Sequence, residues 1–169
     1  MQKNEKETAF SEIYSVYKDR IYRICYGYIY EKEQVDDLFQ EIMINIWNSM
    51  ERFRGYSGIG TWVYKIAVNS ALLYNKKNKF YSKLNFSVPE TAIDNELDDY
   101  RVREEKLRML AQCISKLNKN DRIIISLILE ELSYEQVSEI TGITAGNVGV
   151  KVNRIKKKLF NMLKEMNYE

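Results

Sequence analysis

Two short helical patterns meet at a glycine in YEQVSEITGITAGNVGVKVNRIKKKL (residues 134–159), and the second of them becomes basic. Gly142 tolerates a positive φ, so the chain can turn there, and Ile143 supplies an apolar side chain behind the corner. Thr144 is suited to cap the helix that follows. This stretch therefore predicts a helix-turn-helix.

The second helix of this pattern has an apolar side and a polar side. Its apolar residues recur every three or four positions, which predicts a buried stripe of Val148, Val152, Ile155 and Leu159. The opposite side carries Asn147, Val150, Asn153, Arg154 and Lys157. Amides near a helix start suit base edges, and cations further along suit phosphates. Five cations and no carboxylate lie from Lys151 to Lys158. DNA binding is therefore favoured over the alternative, an ordinary helical hairpin with a solvated basic face.

The composition argues against catalysis and against metal binding. The chain has no histidine, which removes the common zinc sites and the Ser-His and Cys-His pairs. Asp37 and Glu41 are one helical turn apart and could share a metal or a proton, but an acidic edge facing solvent or a partner is favoured. Cys25 and Cys113 fall on apolar helical stripes and are expected to be core thiols. We expect no enzyme activity, no metal and no cofactor.

Neither a secretory signal nor a membrane span is predicted. The first eight residues, MQKNEKET, are polar and contain no apolar segment. The longest apolar stretch, residues 123–129, is far shorter than the ~20 residues that cross a bilayer. We therefore expect no membrane insertion and a cytoplasmic location.

Proline and charge divide the chain into two parts. Pro89, the only proline, lies in SVPETAIDNELDD, where apolar residues are sparse, and six acids lie from Glu90 to Glu104. This composition predicts a flexible acidic linker at residues 82–103, between small domains at residues 1–81 and 104–169. No alternating strand pattern persists, so both domains are predicted to be all-α. We expect helices at about 10–28, 33–50, 61–77, 105–116 and 121–131, ahead of the helix-turn-helix, with Thr61 as an N-cap.

Aromatic rings alternate with cations around the loop FRGYSGIGTW (residues 53–62) and in the helix after it. Aromatic side chains can stack on unpaired bases while cations follow the backbone. Helical spacing assigns Phe53 and Trp62 mainly to packing, whereas Tyr56, between a glycine and Ser57, is better placed to meet a base. On composition alone, packing and binding of single-stranded nucleic acid are equally supported.

Three blocks in this order and spacing, DDLFQEIMINIW, FRGYSGIGTWVYKIAVNSA and the helix-turn-helix, resemble an extracytoplasmic-function sigma factor of the sigma-70 family. The first two blocks are similar to region 2 of that family, and residues 105–163 are similar to region 4. The resemblance implies a protein that binds bacterial core RNA polymerase, directs it to promoters and helps to open the DNA.

The resemblance also implies roles for individual residues. An Asp-Leu-x-Gln-Glu pattern, with which the family grips the polymerase clamp helices, is matched by Asp37, Leu38, Gln40 and Glu41. The glycine-containing loop and the next helix match the part that captures an extruded base of the −10 element, which implies contacts from Arg52, Arg54, Tyr56, Ser57, Tyr64, Lys65, Asn69, Lys76 and Lys77. The recognition helix matches the part that enters the −35 major groove, which implies contacts from Thr144, Asn147, Val150, Lys151, Asn153, Arg154, Lys157 and Lys158.

Two positions depart from the family pattern. Gly149 stands where the family often has a lysine. Leu73 stands where the family usually has an aspartate. The residues that follow it, Asn75, Lys76 and Lys77, replace an arginine-rich run. Promoter preference therefore does not carry over from relatives.

Regulation is expected to come from another protein, because the chain contains no sensor or cofactor motif. The resemblance implies that this partner is an anti-sigma factor. Two other functions remain open on the residues alone: a stand-alone helix-turn-helix regulator that dimerises through its N-terminal helices, and a helical interaction module without DNA contact. Charge reversal at Arg154 and Lys157 would separate the DNA-binding interpretations from the last one.

Overall fold

The computed structural model describes residues 3–29, 32–77 and 98–166. These residues form helices joined by short turns, without a strand among them, as the all-α prediction requires. The helices are α1 (Lys3–Ile29), α2 (Lys32–Ser49), a 3₁₀ turn (Met50–Arg52), α3 (Ile59–Lys77), α4 (Asp98–Ser115), α5 (Lys119–Leu129), α6 (Tyr134–Thr141) and α7 (Ala145–Met166).

The N-terminal unit consists of α1, α2 and α3, which pack against one another in pairs. Apolar residues at helical spacing form its core: Ile21 on α1 and Leu38 and Ile42 on α2 are wholly buried. At one end, the rings of Phe10 and Trp47 meet edge to face at 5.3 Å between centroids. Burial of these stripes stabilises the unit, because removing apolar surface from water is the main favourable contribution to folding.

Besides α1, which begins at Lys3 rather than near residue 10, two helix starts differ from the sequence prediction. The N-cap prediction at Thr61 is wrong, because α3 begins at Ile59 and Thr61 lies buried in its first turn. The helical hydrogen bonds start earlier, where the Trp62 N–H donates to the Gly58 carbonyl at 3.1 Å. The second difference is α4, which begins at Asp98, inside the predicted linker. The rest of that linker, including Pro89, lies outside the described residues.

The C-terminal unit consists of α4 to α7 and contains the predicted helix-turn-helix in α6 and α7. A capping box starts α6: Ser133 Oγ accepts from the Gln136 N–H at 3.2 Å, and Gln136 Oε1 accepts from the Ser133 N–H at 2.9 Å. Gly142 ends α6 with φ 75°, a conformation that favours glycine. Thr144 Oγ1 then accepts from the Asn147 N–H at 3.4 Å, so the predicted cap of α7 is present.

The two units lie against each other. Helix α1 packs on α5 and α4, and α3 packs on α6, so that the buried apolar side chains of both units form one continuous core. Among the described helices, none has the length and apolar character needed to cross a membrane.

Candidate functional site

An acidic and amide face runs along α2. Asp37 and Gln40 are exposed and Glu41 is half-buried, and their spacing of three and four residues places them on one side of the helix. Leu38 behaves differently: its side chain is wholly buried, so the structure assigns it to the core rather than to this surface. Asp36 is half-buried and accepts a hydrogen bond from the Tyr22 hydroxyl at 2.9 Å. The face available to a partner is therefore Asp37, Gln40 and Glu41.

The loop between the 3₁₀ turn and α3 is anchored at its base and open at its tip. Phe53 packs against Trp62 with 5.0 Å between ring centroids, as the assignment of both rings to packing predicted. Gly55 adopts φ 72° and turns the chain. Tyr56 then projects from the tip with 96% of its surface exposed. Ser57 beside it is half-buried, and the flanking cations Arg52 and Arg54 are exposed. An exposed ring between cations suits an unpaired base.

Helix α3 exposes one polar edge next to this loop. Lys65 and Asn69, four residues apart, are both exposed. Tyr64 is 3% exposed and meets the Tyr17 ring edge to face at 6.0 Å between centroids, so the structure places it in the core of this conformation. Burial raises the pKa of Tyr64, and the nearby Arg20 guanidinium partly offsets this effect. Lys76 and Lys77 end α3, and their side chains lie outside the part of the chain that the structure describes.

Helix α7 has the two sides that its periodicity predicted. Its four stripe residues, Val148, Val152, Ile155 and Leu159, are buried. The exposed side presents a mixture of amides and cations beyond the cap. Lys151 is half-buried, and the exposed members of the predicted set are Thr144, Asn147, Val150, Asn153, Arg154, Lys157 and Lys158.

Gly149, in the second turn of α7, lies close to an aromatic ring of α6. A Cβ added at Gly149 would lie 3.3 Å from Cε2 and 3.6 Å from Cδ2 of Tyr134, whose ring covers this position from the start of α6. Sequence analysis singled out Gly149 but did not identify Tyr134 as its neighbour. The sequence does indicate such a neighbour, because a glycine inside a helix costs about 1 kcal/mol relative to alanine and often marks a place where another group packs close to the backbone.

Both cysteines are buried, as predicted. Burial raises the pKa of the Cys25 thiol to about 12, so it stays protonated at neutral pH. The Cys113 thiol donates a weak hydrogen bond to the Met166 sulfur at 3.5 Å. Within the three described ranges, no three acidic, cysteine or histidine side chains cluster closely enough to hold a metal ion.

Comparisons with known proteins match both units. The family models described as Sigma-70 region 2 and Sigma-70, region 4 match residues 13–80 and 107–159. The ECF RNA polymerase sigma factor SigW of Bacillus subtilis is 28% identical over 175 residues, covering 97% of this chain and 94% of the relative. The ECF RNA polymerase sigma-E factor of Haemophilus influenzae is 27% identical over 177 residues, covering 98% and 93%.

Two solved structures have the same fold. The sigma factor RpoE from Bartonella quintana, in complex with the anti-sigma factor NepR, superposes with a TM-score of 0.76 at 19% identity, covering 92% of this chain and 97% of that chain. CnrH, in complex with the cytosolic domain of CnrY, superposes with a TM-score of 0.69 at 16% identity, covering 94% and 90%.

Proposed function

The chain belongs to the extracytoplasmic-function group of the sigma-70 family of RNA polymerase sigma factors, and we propose that its two units divide polymerase binding and promoter recognition between them. The N-terminal unit binds core polymerase and the −10 element, and the C-terminal unit binds the −35 element. A protein of this kind supplies binding surfaces to polymerase and catalyses no reaction of its own.

Core polymerase binds the face of α2 formed by Asp37, Gln40 and Glu41. Two carboxylates and an amide on one exposed edge offer acceptors to basic and polar groups of a partner. Leu38 supports this face from within, because its buried side chain fixes α2 against the rest of the unit.

The −10 element is read as a separated strand. The exposed ring of Tyr56 stacks on an extruded base, while Arg52, Arg54 and Lys65 hold the backbone of the same strand. Asn69 continues this edge along α3 and donates to the strand beyond the captured base. Because the base is taken from the duplex, binding here favours the open form of the promoter.

The −35 element is read as a duplex in its major groove. Asn147 and Val150, near the start of α7, face base edges, whereas Lys151, Arg154 and Lys157 face phosphates as the helix leaves the groove. Gly149 contributes no side chain to this surface, so the preferred −35 sequence is specific to this chain.

An anti-sigma factor is the expected regulator. RpoE and CnrH, whose fold this chain shares, are both seen with such a partner or with a partner's cytosolic domain. Because the target of the chain is RNA polymerase, we place its site of action in the cytoplasm, where transcription occurs.

The observation that carries this proposal is the exposed tip of the loop at residues 53–62. Tyr56 points outward there, while Phe53 and Trp62 pack against each other at its base. The same unit carries the polar face of α2. A stand-alone helix-turn-helix regulator has no use for either feature.

A titration against bacterial core RNA polymerase tests the proposal. The chain is labelled and compared with a double variant, Gln40→Ala and Glu41→Ala, and with a control, Glu7→Ala and Glu12→Ala, at two exposed sites on α1. We expect tight binding by the intact chain and the control, and at least about tenfold weaker binding by the α2 variant, which corresponds to about 1.4 kcal/mol. An intact, folded chain that ignores core polymerase would end the sigma-factor proposal.

A further inference from the structure

Two leucines are exposed near the end of α3. Leu73 has 55% of its surface exposed, and Leu72 beside it has 37%. Lys65, Asn69 and Leu73 follow one another at four-residue steps, so they lie along one side of the helix. Leu73 therefore extends the edge of α3 that is proposed to hold the −10 strand.

Other residues attach α3 to the rest of its unit. Val63, Ala67 and Ala71 are buried on the side away from this edge. Ser70 Oγ accepts a hydrogen bond from Asn45 Nδ2 of α2 at 2.9 Å, which helps to fix the rotation of α3 about its axis. Single exposed leucines are ordinary on a protein surface, but a neighbouring pair on a polar binding edge indicates a contact with a partner.

The charge of α3 indicates which partner this is. From Ile59 to Lys77 the helix contains three lysines and neither aspartate nor glutamate. Leu73 stands where the family usually has an aspartate, so this chain lacks a negative charge that its relatives carry on this edge. A helix whose only charges are positive attracts a polyanion. DNA therefore suits the leucines and the polar residues beside them.

Duplex DNA offers a leucine one apolar group on its outer surface. Its base faces are stacked inside and its backbone is charged, whereas the C5-methyl group of thymine projects into the major groove, which is wide enough for an α-helix. Asn69, four residues before Leu73, has an amide of the kind that pairs with adenine there. Four helical residues rise about 6 Å, or about two base steps of ~3.4 Å, so the two side chains can reach neighbouring base pairs.

The leucines lie well away from the base captured at the loop tip. Leu73 is eight residues beyond Lys65, about 12 Å along the helix axis, which corresponds to roughly three to four bases. Helix α3 then leads into the segment that joins it to the unit with the recognition helix. We therefore place the end of α3 on the −35 side of the captured base, beside DNA that is still paired.

We propose that Leu73, flanked by Leu72, contacts thymine methyl groups in the duplex that adjoins the −10 element on its −35 side. This inference rests on the proposed function. The contact adds a base preference that relatives with an aspartate at this position do not share, since a carboxylate cannot pack against a methyl group and repels the phosphates.

The methyl group can be removed from the DNA alone, because uracil pairs as thymine does and lacks only that group. Holoenzyme with the parent chain first selects promoters from randomised duplexes. A selected promoter is then made with uracil in the duplex next to the −10 element or, as the DNA control, with uracil beyond the −35 element. Binding is measured for the parent, for Leu73→Ala and for Leu73→Asp. The protein control is Leu107→Ala, at a leucine of α4 that is 59% exposed.

We expect the selected promoters to be enriched in thymine next to the −10 element. Uracil at these positions should weaken binding about threefold for the parent and for Leu107→Ala, and uracil beyond the −35 element should have no effect. Leu73→Ala should bind the thymine promoter about threefold more weakly than the parent does and should be indifferent to uracil, since the two changes remove the same contact. Leu73→Asp should bind more weakly still, most of all at low salt. Urea midpoints should stay equal, because Leu73 is exposed.

Selected promoters without thymine enrichment would overturn this inference. So would a parent holoenzyme that is indifferent to uracil, or a Leu73→Ala holoenzyme that keeps the full sensitivity. If Leu73→Ala loses affinity for core polymerase before DNA is added, the leucines belong to a protein contact and the inference is wrong. A parent chain that forms no holoenzyme would end the proposed function together with this inference, whereas promoter recognition that does not depend on Leu73 would end this inference alone.

Discussion

The hydroxyl of Tyr22 on α1 donates a hydrogen bond to Asp36 Oδ1 on α2 at 2.9 Å. This bond and partial burial raise the pKa of Tyr22, because the neutral phenol is the form that donates to the carboxylate. Asp36 is thereby held against α1, whereas its neighbour Asp37 is exposed. Two adjacent acids of the same type therefore have different surroundings, one bonded within the fold and one open to solvent.

Substitution of these two acids should separate stability from polymerase binding. Asp36→Asn weakens the bond from Tyr22 and should lower the free energy of unfolding by about 1 kcal/mol, with polymerase affinity nearly unchanged. Asp37→Asn should leave stability nearly unchanged and weaken polymerase binding several-fold. Urea unfolding and a polymerase titration measure the two effects. Equal losses of affinity in the two variants would contradict this division.

Tyr56 should control promoter opening rather than polymerase binding. Tyr56→Ala removes the exposed ring at the loop tip and should weaken binding of a single-stranded −10 segment by about 1 to 3 kcal/mol. Tyr56→Phe keeps the ring and should retain most of the affinity. The measurement is binding of holoenzyme to forked promoter DNA, with a −35 duplex as the reference. If Tyr56→Ala binds the forked DNA as well as the parent does, the ring does not stack on a base.

Arg154 should contribute one phosphate contact of the recognition helix. Arg154→Ala should reduce the slope of log affinity against log salt by about 1, since each neutralised phosphate releases roughly 0.9 counterion. Lys116→Ala, at an exposed cation just beyond the end of α4, is the control and should leave the slope unchanged. The slopes are measured with holoenzyme on promoter duplex over a range of salt concentrations. Identical slopes for all three proteins would remove Arg154 from the DNA surface.

The helices and the helix-turn-helix could be predicted because they depend on local chemistry. Apolar spacing identified the buried stripe of α7, and Gly142 identified the corner, since few other residues adopt its positive φ. Exposure of Tyr56 also followed from its small polar neighbours. These features need only residues close in sequence.

The differences between prediction and structure have two sources, a local hydrogen bond and contacts between distant residues. The family resemblance placed Leu38 and Tyr64 at binding surfaces, but both side chains are buried, and Tyr64 packs against Tyr17 of α1. The start of α3 is the local difference: the Gly58 carbonyl accepts from the Trp62 N–H, so the helix begins ahead of Thr61. The ion pair between Arg23 on α1 and Glu130 after α5 could not be predicted from the sequence. Each residue, taken with its sequence neighbours alone, looks like an ordinary charged residue on a helix surface.

Alkaline pH should destabilise the fold through Cys25. Burial raises its pKa from an ordinary value near 9.0 to about 12 in the folded chain. The folded state therefore keeps a proton that the unfolded state loses, so stability is complete below about pH 9 and falls as pH rises toward 12. This group contributes a slope of about 1.4 kcal/mol per pH unit within that range. The raised pKa values of Tyr22, Tyr26 and Tyr64 act in the same direction at higher pH.

Urea unfolding between pH 8 and pH 10.5 measures this effect. Cys25→Ala should be less stable than the parent at pH 8, because it removes a buried side chain, but its stability should fall less steeply with pH. Parallel pH profiles for the two proteins would show that the thiol is not the titrating group.

Gly149→Ala tests whether the glycine in α7 is required by its neighbour. Alanine favours a helix by about 1 kcal/mol over glycine, but its Cβ would lie 3.3 Å from the Tyr134 ring, closer than ordinary van der Waals contact. Tyr134 is 40% exposed, so its ring has room to shift by a few tenths of an ångström toward solvent. We therefore expect a net gain in the free energy of unfolding, smaller than the full helix preference, because the displaced ring loses part of its contact with α7.

Affinity for −35 duplex should stay within about twofold, since the new methyl group lies under Tyr134 and away from the outward side of Val150 and Arg154. A net loss of stability would instead mean that the ring is fixed in place and that Tyr134 makes glycine necessary at this position.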